Sequence, residues 1–337
     1  NNTIRHFANA AYLAKQAGFS GVEVMGSEGY LIKQFLSLRA NKRSDDWGGS
    51  IENRVKFAVK IIESIRERVG DDFIVIYRIS LLDLVEGGME WNEVTYLAAR
   101  LAEAGVNIFN SGIGWHEARV PTIVTSVPRA AFVFATERLK SISTIPVVAT
   151  NRINMPDVAE EILSDNKADL VCMARPFLAD PDWVNKANEN RSDEINTCIA
   201  CNQACLDHVF KGQRASCLVN PFACFESEMK LLPVKHKKKL AVIGAGPAGL
   251  AFSVYAAQRG HHVELFEASA KIGGQFNYAK QIPGKQEFNH TLRYFENMLE
   301  LHAVEVHLNC VVDQDDLEAF DELIVATGIK PRKPNIS

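Results

Sequence analysis

The sequence predicts an α/β chain: the C-terminal five units of a (β/α)8 TIM barrel, then a cysteine-rich loop, then an incomplete Rossmann-like domain. Three observations carry this expectation. Strand and helix signals alternate across residues 2–188 at the rhythm of a parallel sheet. Cys198, Cys201, Cys205 and Cys217 follow in a C-x2-C-x3-C-x11-C array. Beyond them, Gly244-Ala245-Gly246-Pro247-Ala248-Gly249 makes a G-x-G-x-x-G turn between a strand pattern and a helix pattern.

Residues 4–17 place apolar side chains at helical spacing and stop at Gly18, a C-cap residue. Residues 21–25 (GVEVM) fit a short buried strand. Residues 51–69 form an amphipathic helix pattern followed by a strand at 73–79. A helix at 92–104 ends at Gly105 and leads into a strand at 107–110. A helical pattern over 128–140 precedes a strand at 145–149, and a helix at 156–163, with proline in its first turn, precedes a strand at 170–173.

An open doubly wound sheet and a barrel both fit that rhythm. The strand ends favour the barrel, because each runs into a polar or glycine-rich segment: MGSEGY, YRIS, NSGIGWHEAR, TNRIN and MARPF. In a barrel such ends converge on one catalytic face, and five units leave about three to come from upstream. The chain starts without methionine, already inside a helix, and stops at Ser337 just after a strand–turn signal. We therefore expect an internal fragment of a longer protein, without turnover in isolation.

Composition bounds the function. The 337 residues suit about two domains, and 47% apolar with 23% charged residues suits a globular core. A net charge of −4 exerts no global pull on nucleic acid or anionic lipid. The basic run 235–239 reads as a solvated linker. No signal peptide is visible, and the longest weakly charged stretch, 240–258, holds GAGPAG and is no membrane span. The expectation is a cytoplasmic protein acting on small molecules, with its oligomeric state unspecified.

A disulfide framework does not suit seven cysteines in a long chain without a secretion signal. The array is then a metal site. Zinc ribbons pair two C-x2-C knuckles, whereas three close thiolates and one distant one suit a [4Fe–4S] cluster; spacing alone leaves zinc open. Cys172 fits a buried strand, and Cys224 competes with Cys217 as fourth ligand. In the glycine-rich region, a strand at 240–243, the turn, a helix at 250–259 and a strand at 262–266 ending in Glu267 form the dinucleotide fingerprint. Gly244, Gly246 and Gly249 let backbone approach a pyrophosphate at a helix N-terminus, and Glu267 suits a ribose diol. Its carboxylate would repel a 2′-phosphate, which favours FAD or NAD over NADP there. A strand at 321–326 follows, without a second such turn. The expected domains are residues 1–190, 191–234 and 235–337.

The motifs VEVMGSEGYLIKQFLS, NKRSDDWGGSIENR, YRIS, SGIGWHEARVPTI, TNRIN, MARPFLADP, TCIACNQACLDH, GAGPAG and GGQFNYAKQIPGK resemble one family over essentially the whole chain. It is the old yellow enzyme-like iron–sulfur flavoproteins, which include bacterial NADPH-dependent 2,4-dienoyl-CoA reductases and trimethylamine dehydrogenase. Three residues between the second and third cysteines, where the latter has two, point to the dienoyl-CoA reductase branch. The resemblance implies FMN in the barrel, a [4Fe–4S] cluster on the four cysteines, FAD on the fingerprint, and an NADPH domain mostly absent from this chain. Electrons would pass from NADPH through FAD and the cluster to FMN, then to an acyl-CoA substrate of unsaturated fatty acid β-oxidation.

Hydride would reach the distal alkene carbon from reduced FMN, and a proton the carbon beside the carbonyl. By the resemblance, Tyr30 is the acid and His116 its partner, while Arg39, His116, Glu117, Ala118 and Arg119 line the substrate site. Arg78 meets the flavin pyrimidine edge; Arg152, Ala174 and Arg175 hold the FMN phosphate. Gln275, Lys285 and Val312 join Gly244, Gly246, Gly249 and Glu267 around FAD. Plainer alternatives are a packed aromatic for Tyr30, a surface loop arginine for Arg39, an ion pair with a glutamate such as Glu23 for Arg78, and a barrel cap for Arg175. The alternative functions are an enoate or other activated-alkene reductase, or an amine dehydrogenase-type electron-transfer flavoprotein.

Overall fold

The computed structural model describes residues 2–313, 315–329 and 332. They fall into two compact units that divide between Met173 and Ala174. In the first unit, β1 (Gly21–Gly26), β2 (Ile74–Leu82), β3 (Ile108–Ile113), β4 (Val147–Ala149) and β5 (Leu170–Val171) form one parallel sheet in sequence order. Around it run α1 (Asn2–Gln16), α2 (Leu31–Leu36), α3 (Ile51–Val69), α4 (Trp91–Glu103), α5 (Val133–Lys140) and α6 (Pro156–Ser164). A doubly wound sheet reverses its strand order at a switch point; this one never does. With right-handed crossovers, unbroken order puts the helices on one side of the sheet, the arc of a barrel.

Alternation along the strands sorts the side chains. Val75, Tyr77 and Ile79 of β2 and Phe109 of β3 enter the helix-side core with Ile61, Ile62 and Ile65 of α3 and Leu97 and Leu101 of α4. Full burial of each large aliphatic side chain contributes about 1.5–3 kcal/mol. The intervening residues Ile76, Arg78 and Asn110 face the inside of the arc, where Met25 and Leu170 are exposed.

Most boundaries follow the sequence pattern, but β2 and β3 run on to Leu82 and Ile113, β4 starts only at Val147, and α5 and β5 depart as well. The helix expected over 128–140 begins only at Val133, because Ala130 turns to φ 54° and donates its N–H to the Arg152 carbonyl. The strand expected over 170–173 keeps only Leu170–Val171. The short α2, directly after Tyr30, is tied down by charge. Lys33 Nζ lies 2.8 Å from Asp83 Oδ1, with both side chains nearly inaccessible. Asp83 also accepts from Ser80 Oγ at 2.6 Å and from the Met89 N–H at 2.7 Å. Arg54 of α3 donates to the Leu36 carbonyl of α2 and to Glu93 of α4.

The second unit opens with α7 (Arg175–Ala179) and α8 (Trp183–Asn188), passes through the cysteine loop and α9 (Leu206–Phe210), and enters a nucleotide-type fold. There β6 (Lys239–Ile243), α10 (Pro247–Gln258), β7 (His262–Glu267), α11 (Phe276–Ala279), α12 (Asn289–Leu301), β8 (Glu305–Leu308) and β9 (Glu322–Val325) build a parallel sheet ordered β8-β7-β6-β9. Its core joins Leu240, Val242 and Leu265 to Leu250 and Val254 of α10 and to Leu292, Phe295 and Met298 of α12. Among the described residues, no helix is long and apolar enough to cross a membrane.

Burial lowers the Lys33 pKa, and the nearby Asp83 carboxylate opposes that shift. Removing one partner strands a buried charge, so Asp83→Leu should destabilise the protein by about 3–5 kcal/mol in urea denaturation. The double variant Lys33→Met/Asp83→Leu should recover most of that loss. Equal destabilisation in the two variants would rule out a stranded ammonium as the cause.

Candidate active site and cofactor-binding residues

At the C-terminal end of β1 the chain turns sharply through two left-handed residues, Glu28 at φ 52° and Gly29 at φ 86°. A Cβ on Gly29 would stand 2.8 Å from the Trp115 ring, so both conformation and contact require glycine. Tyr30 follows immediately as the N-cap of α2. From the end of β3, Gly114 donates to the Leu82 carbonyl at 2.7 Å, Trp115 to the Asp83 carbonyl at 3.0 Å, and His116 to the Glu28 carbonyl at 3.3 Å. The loop after β3 is thereby fastened to the loops after β1 and β2. The Tyr30 hydroxyl consequently lies 2.7 Å from His116 Nε2, with the rings edge to face at 5.0 Å. Tyr30 is 48% exposed, open to an incoming molecule.

Arg39 and Glu117, both expected to meet substrate, meet each other: Arg39 Nε donates to Glu117 Oε1 at 2.7 Å. Arg39 is further anchored by its own N–H on the Gly87 carbonyl at 2.8 Å. Ala118 turns back to the Trp115 carbonyl at 2.9 Å, and Arg119 is exposed. Arg78 faces the inside of the arc and has an ion-pair partner, although not Glu23. Its Nε donates to Glu28 Oε1 at 2.9 Å, while Glu23 accepts from Asn110 Nδ2 at 2.6 Å. Arg152, just past β4, is buried at φ 61° and donates from Nε to the Val127 carbonyl at 2.8 Å. Tyr30, His116 and Arg152 follow strand C-termini, the catalytic end of barrel folds, and Arg39, beyond α2, is bonded to Gly87 in the loop after β2. Sequence reasoning gave Glu28 and Trp115 no role. The one available signal was a charged residue and an aromatic beside glycines at strand ends.

In the second unit, Ala174 caps α7, and Arg175 Nη1 donates to Asn202 Oδ1 at 2.7 Å. Cys198, Cys201, Cys205 and Cys217 line a single pocket together with Arg175 and Asn202; Cys224 is not among its lining residues. All seven cysteines are free thiols. Burial pushes the Cys198 thiol up, against the pull of the nearby Arg175, and pushes Cys217 up to about 11. Among the described residues, the group of three metal-type ligand atoms lying within 4.8 Å of one another is His262, Glu264 and Glu305. The cysteine sulfurs are not among such groups. Four thiols around one pocket fit a larger polynuclear group.

The three fingerprint glycines serve three different purposes. A Cβ on Gly244, at φ 104°, would meet the Ala326 carbonyl oxygen at 2.5 Å, and one on Gly249 would strike the Gly244 carbonyl. Gly246, which caps α10, has nothing within 4 Å of that position, so its backbone is bare toward a ligand. Gly273 donates to the Ala245 carbonyl at 2.7 Å, bringing the GGQF segment against the turn. Glu267 accepts from the N–H groups of Ala245 and Ser269, each at 2.8 Å. Burial pushes its carboxyl up, but these N–H groups outweigh that and hold it below the usual range. Gln275 Nε2 reaches the Ile329 carbonyl at 3.2 Å, and Lys285 Nζ lies 5.5 Å from the Phe288 ring centroid. Val312 follows Cys310, whose N–H donates to the Glu267 carbonyl at 2.9 Å.

Comparison with known proteins agrees with this layout. A model described as NADH:flavin oxidoreductase / NADH oxidase family matches residues 1–194, and one described as pyridine nucleotide-disulphide oxidoreductase matches residues 238–337. A metal reductase of Desulforamulus reducens is 41% identical, over 99% of this chain and 51% of its own length. An NADH oxidase of Thermoanaerobacter brockii is 40% identical, over 99% of this chain and 52% of its own. Among solved structures, a 2-naphthoyl-CoA reductase in complex with 2-naphthoyl-CoA superposes with a TM-score of 0.95 at 37% identity, covering 99% of this chain and 52% of that one. The chain spans about half the length of the relatives it matches. It belongs to the NADH:flavin oxidoreductase / NADH oxidase family.

Proposed function

We propose that this chain is the FMN- and FAD-binding portion of an NADPH-dependent 2,4-dienoyl-CoA reductase. Residues 1–190 serve as the FMN and substrate barrel, 191–234 as the cluster segment and 235–337 as the FAD domain. The observation that carries this reading is the 2.7 Å approach of the Tyr30 hydroxyl to His116 Nε2 at an open strand-end face. Reducing a conjugated thioester adds hydride to the distal alkene carbon and needs a proton on the carbon next to the carbonyl. Tyr30 gives that carbon its phenolic proton. His116, already in hydrogen-bond contact, holds the resulting phenolate and returns a proton to it. Arg39, Glu117, Ala118 and Arg119 surround the same mouth and orient the acyl chain.

Arg78, Arg152, Ala174 and Arg175 would hold FMN. Gly244, Gly246, Gly249, Glu267, Gln275, Lys285 and Val312 would hold FAD. Cys198, Cys201, Cys205 and Cys217 would hold a [4Fe–4S] cluster, favoured over zinc by the three close cysteines and one distant one of their array. Bound there, the two flavins and the cluster supply storage and transfer of electrons between NADPH and substrate. NADPH is the donor, not the ligand of this fingerprint, because Glu267 would repel its 2′-phosphate.

The likeness to a reductase bound to an aryl-CoA supports a CoA thioester substrate. A second reading, reduction of a free enoate, is supported by a cinnamate reductase of Clostridium sporogenes at 30% identity. Steady-state assays of the protein from its complete gene separate the two, since turnover of free enoates without turnover of dienoyl-CoA would decide for the second. In that protein, Tyr30→Phe should lower dienoyl-CoA reduction by about 100-fold or more while leaving NADPH-driven flavin reduction unchanged. Full turnover by Tyr30→Phe would overturn the acid assignment. Iron and acid-labile sulfide analysis should show Cys217→Ser losing cluster and Cys224→Ser keeping it. The reverse outcome would move the fourth ligand to Cys224.

A further inference from the structure

We infer that Arg175, held in place by Asn202, raises the reduction potential of the iron–sulfur cluster and so makes it a better acceptor of electrons from FAD. This rests on the cluster reading above. Arg175 opens α7, ahead of the cysteine segment, and its side chain lines the same pocket as Cys198, Cys201, Cys205 and Cys217. Its Nη1 donates to Asn202 Oδ1 at 2.7 Å. Asn202 lies inside the array, between Cys201 and Cys205, at φ 61°. Asparagine takes up that left-handed conformation more readily than most residues. Its own carbonyl accepts from the Asp207 N–H of α9 at 3.0 Å. The guanidinium is therefore tied to the loop that carries the cysteines.

Asn202 holds the arginine through a neutral acceptor. An aspartate there would accept the same hydrogen bond, but its charge would oppose the cation. Among the described residues, Arg175 is the sole charged one that lines the pocket. The walls between the sulfurs are mostly aliphatic, with Leu178, Ile199 and Val219 among them. In such surroundings a fixed charge is felt more strongly than in water. The pull of Arg175 on the Cys198 and Cys201 sulfurs already opposes the effect of their burial.

Each reduction takes one electron from FAD that NADPH has reduced, and that electron adds negative charge beside the cation. Arg175 therefore stabilises the reduced state more than the oxidised one, which is a rise in reduction potential. Asn202 acts at one remove, as a positioning residue.

The test is an EPR-monitored redox titration of the cluster in protein made from the complete gene, with iron, acid-labile sulfide and FMN measured on the same samples. Arg175→Gln should change the ratio of oxidised to reduced cluster at a fixed potential by about tenfold, a fall in midpoint potential of about 59 mV for a one-electron couple. Arg175→Lys, which keeps the charge, should stay near the unaltered value. Asn202→Gly, which suits the left-handed turn but removes the amide, should shift the potential in the same direction as Arg175→Gln. An unchanged potential in loaded Arg175→Gln protein overturns the proposal, and so does an equal fall in Arg175→Lys, which would trace the effect to shape rather than charge. If Arg175→Gln loses cluster or FMN, Asn202→Gly decides, and an unchanged potential there overturns the proposal equally. Unaltered protein without iron and acid-labile sulfide overturns the cluster reading itself, so the two failures are distinguishable.

Discussion

The strand-end face of the first unit depends on Glu28. Its carboxylate takes the Arg78 Nε and the Ser27 hydroxyl, and its carbonyl takes the N–H of His116. Three consecutive strands are joined there through one residue: Glu28 follows β1, Arg78 stands on β2, and His116 follows β3. Such a half-buried pair adds little net stability, because desolvation offsets most of the Coulombic gain. What it supplies is position. Glu28 sits at φ 52°, a conformation costly for a residue with a side chain. The hydrogen bonds and the ion pair on all sides offset that cost, and they bring together a tyrosine and a histidine 86 residues apart.

A second layer of charge lies beneath the first. Lys33–Asp83 and Arg54–Glu93 fasten α2 to the loop after β2 and to α3 and α4. Ser37 and Arg39 then add bonds to the Gly87 carbonyl. The apolar core below supplies most of the stability, while these polar links fix the loops that carry Tyr30, Arg39 and His116. A site built on loops needs such support, since loops lack the backbone ladders that hold helices and strands in register.

Much of this was legible in the sequence, and what escaped did so for identifiable reasons. Helices over 51–69 and 92–104 announced themselves by period, and strand ends by their glycines and polar residues. The partner of Arg78 did not. Glu23 was the glutamate named from the sequence, but the register pairs Arg78 with Met25 and leaves Glu23 level with Ile76. Glu28 reaches Arg78 only because the chain turns left-handed after β1, and no local pattern reports a positive φ on glutamate. The same limit explains residues 128–132, where Pro128 suggested a helix start and Ala130 broke it to reach Arg152. Helix α12 and strand β8 went unassigned although Leu292, Phe295, Met298 and Leu299 recur at helical spacing. They lie beyond the dinucleotide fingerprint, and β8 is an edge strand with most of its residues exposed, so it has no buried alternation to read.

Buried charge is matched in two ways in this chain, and the second unit uses both, since Lys186 lies 2.7 Å from the buried Asp180. In the first unit, buried polar groups are matched with charge: Asp83 with Lys33, Glu93 with Arg54, Glu28 with Arg78. In the second, Glu267 is matched by the backbone N–H groups of Ala245 and Ser269. That choice follows from what each site must leave free. A lysine or arginine at Glu267 would neutralise the carboxylate and crowd the bare backbone of Gly246. Two N–H groups stabilise the same charge without occupying space, and they brace the glycine turn as they do so. The cysteine pocket falls between these cases. Burial pushes the thiols of Cys198, Cys201 and Cys217 up, which favours their neutral forms and lessens the need for counter-charge. Arg175 alone among the pocket-lining residues carries a positive charge. One cation beside four potential thiolates leaves the remaining charge to whatever the sulfurs bind, which is the electrostatic condition for a site that is complete only when loaded.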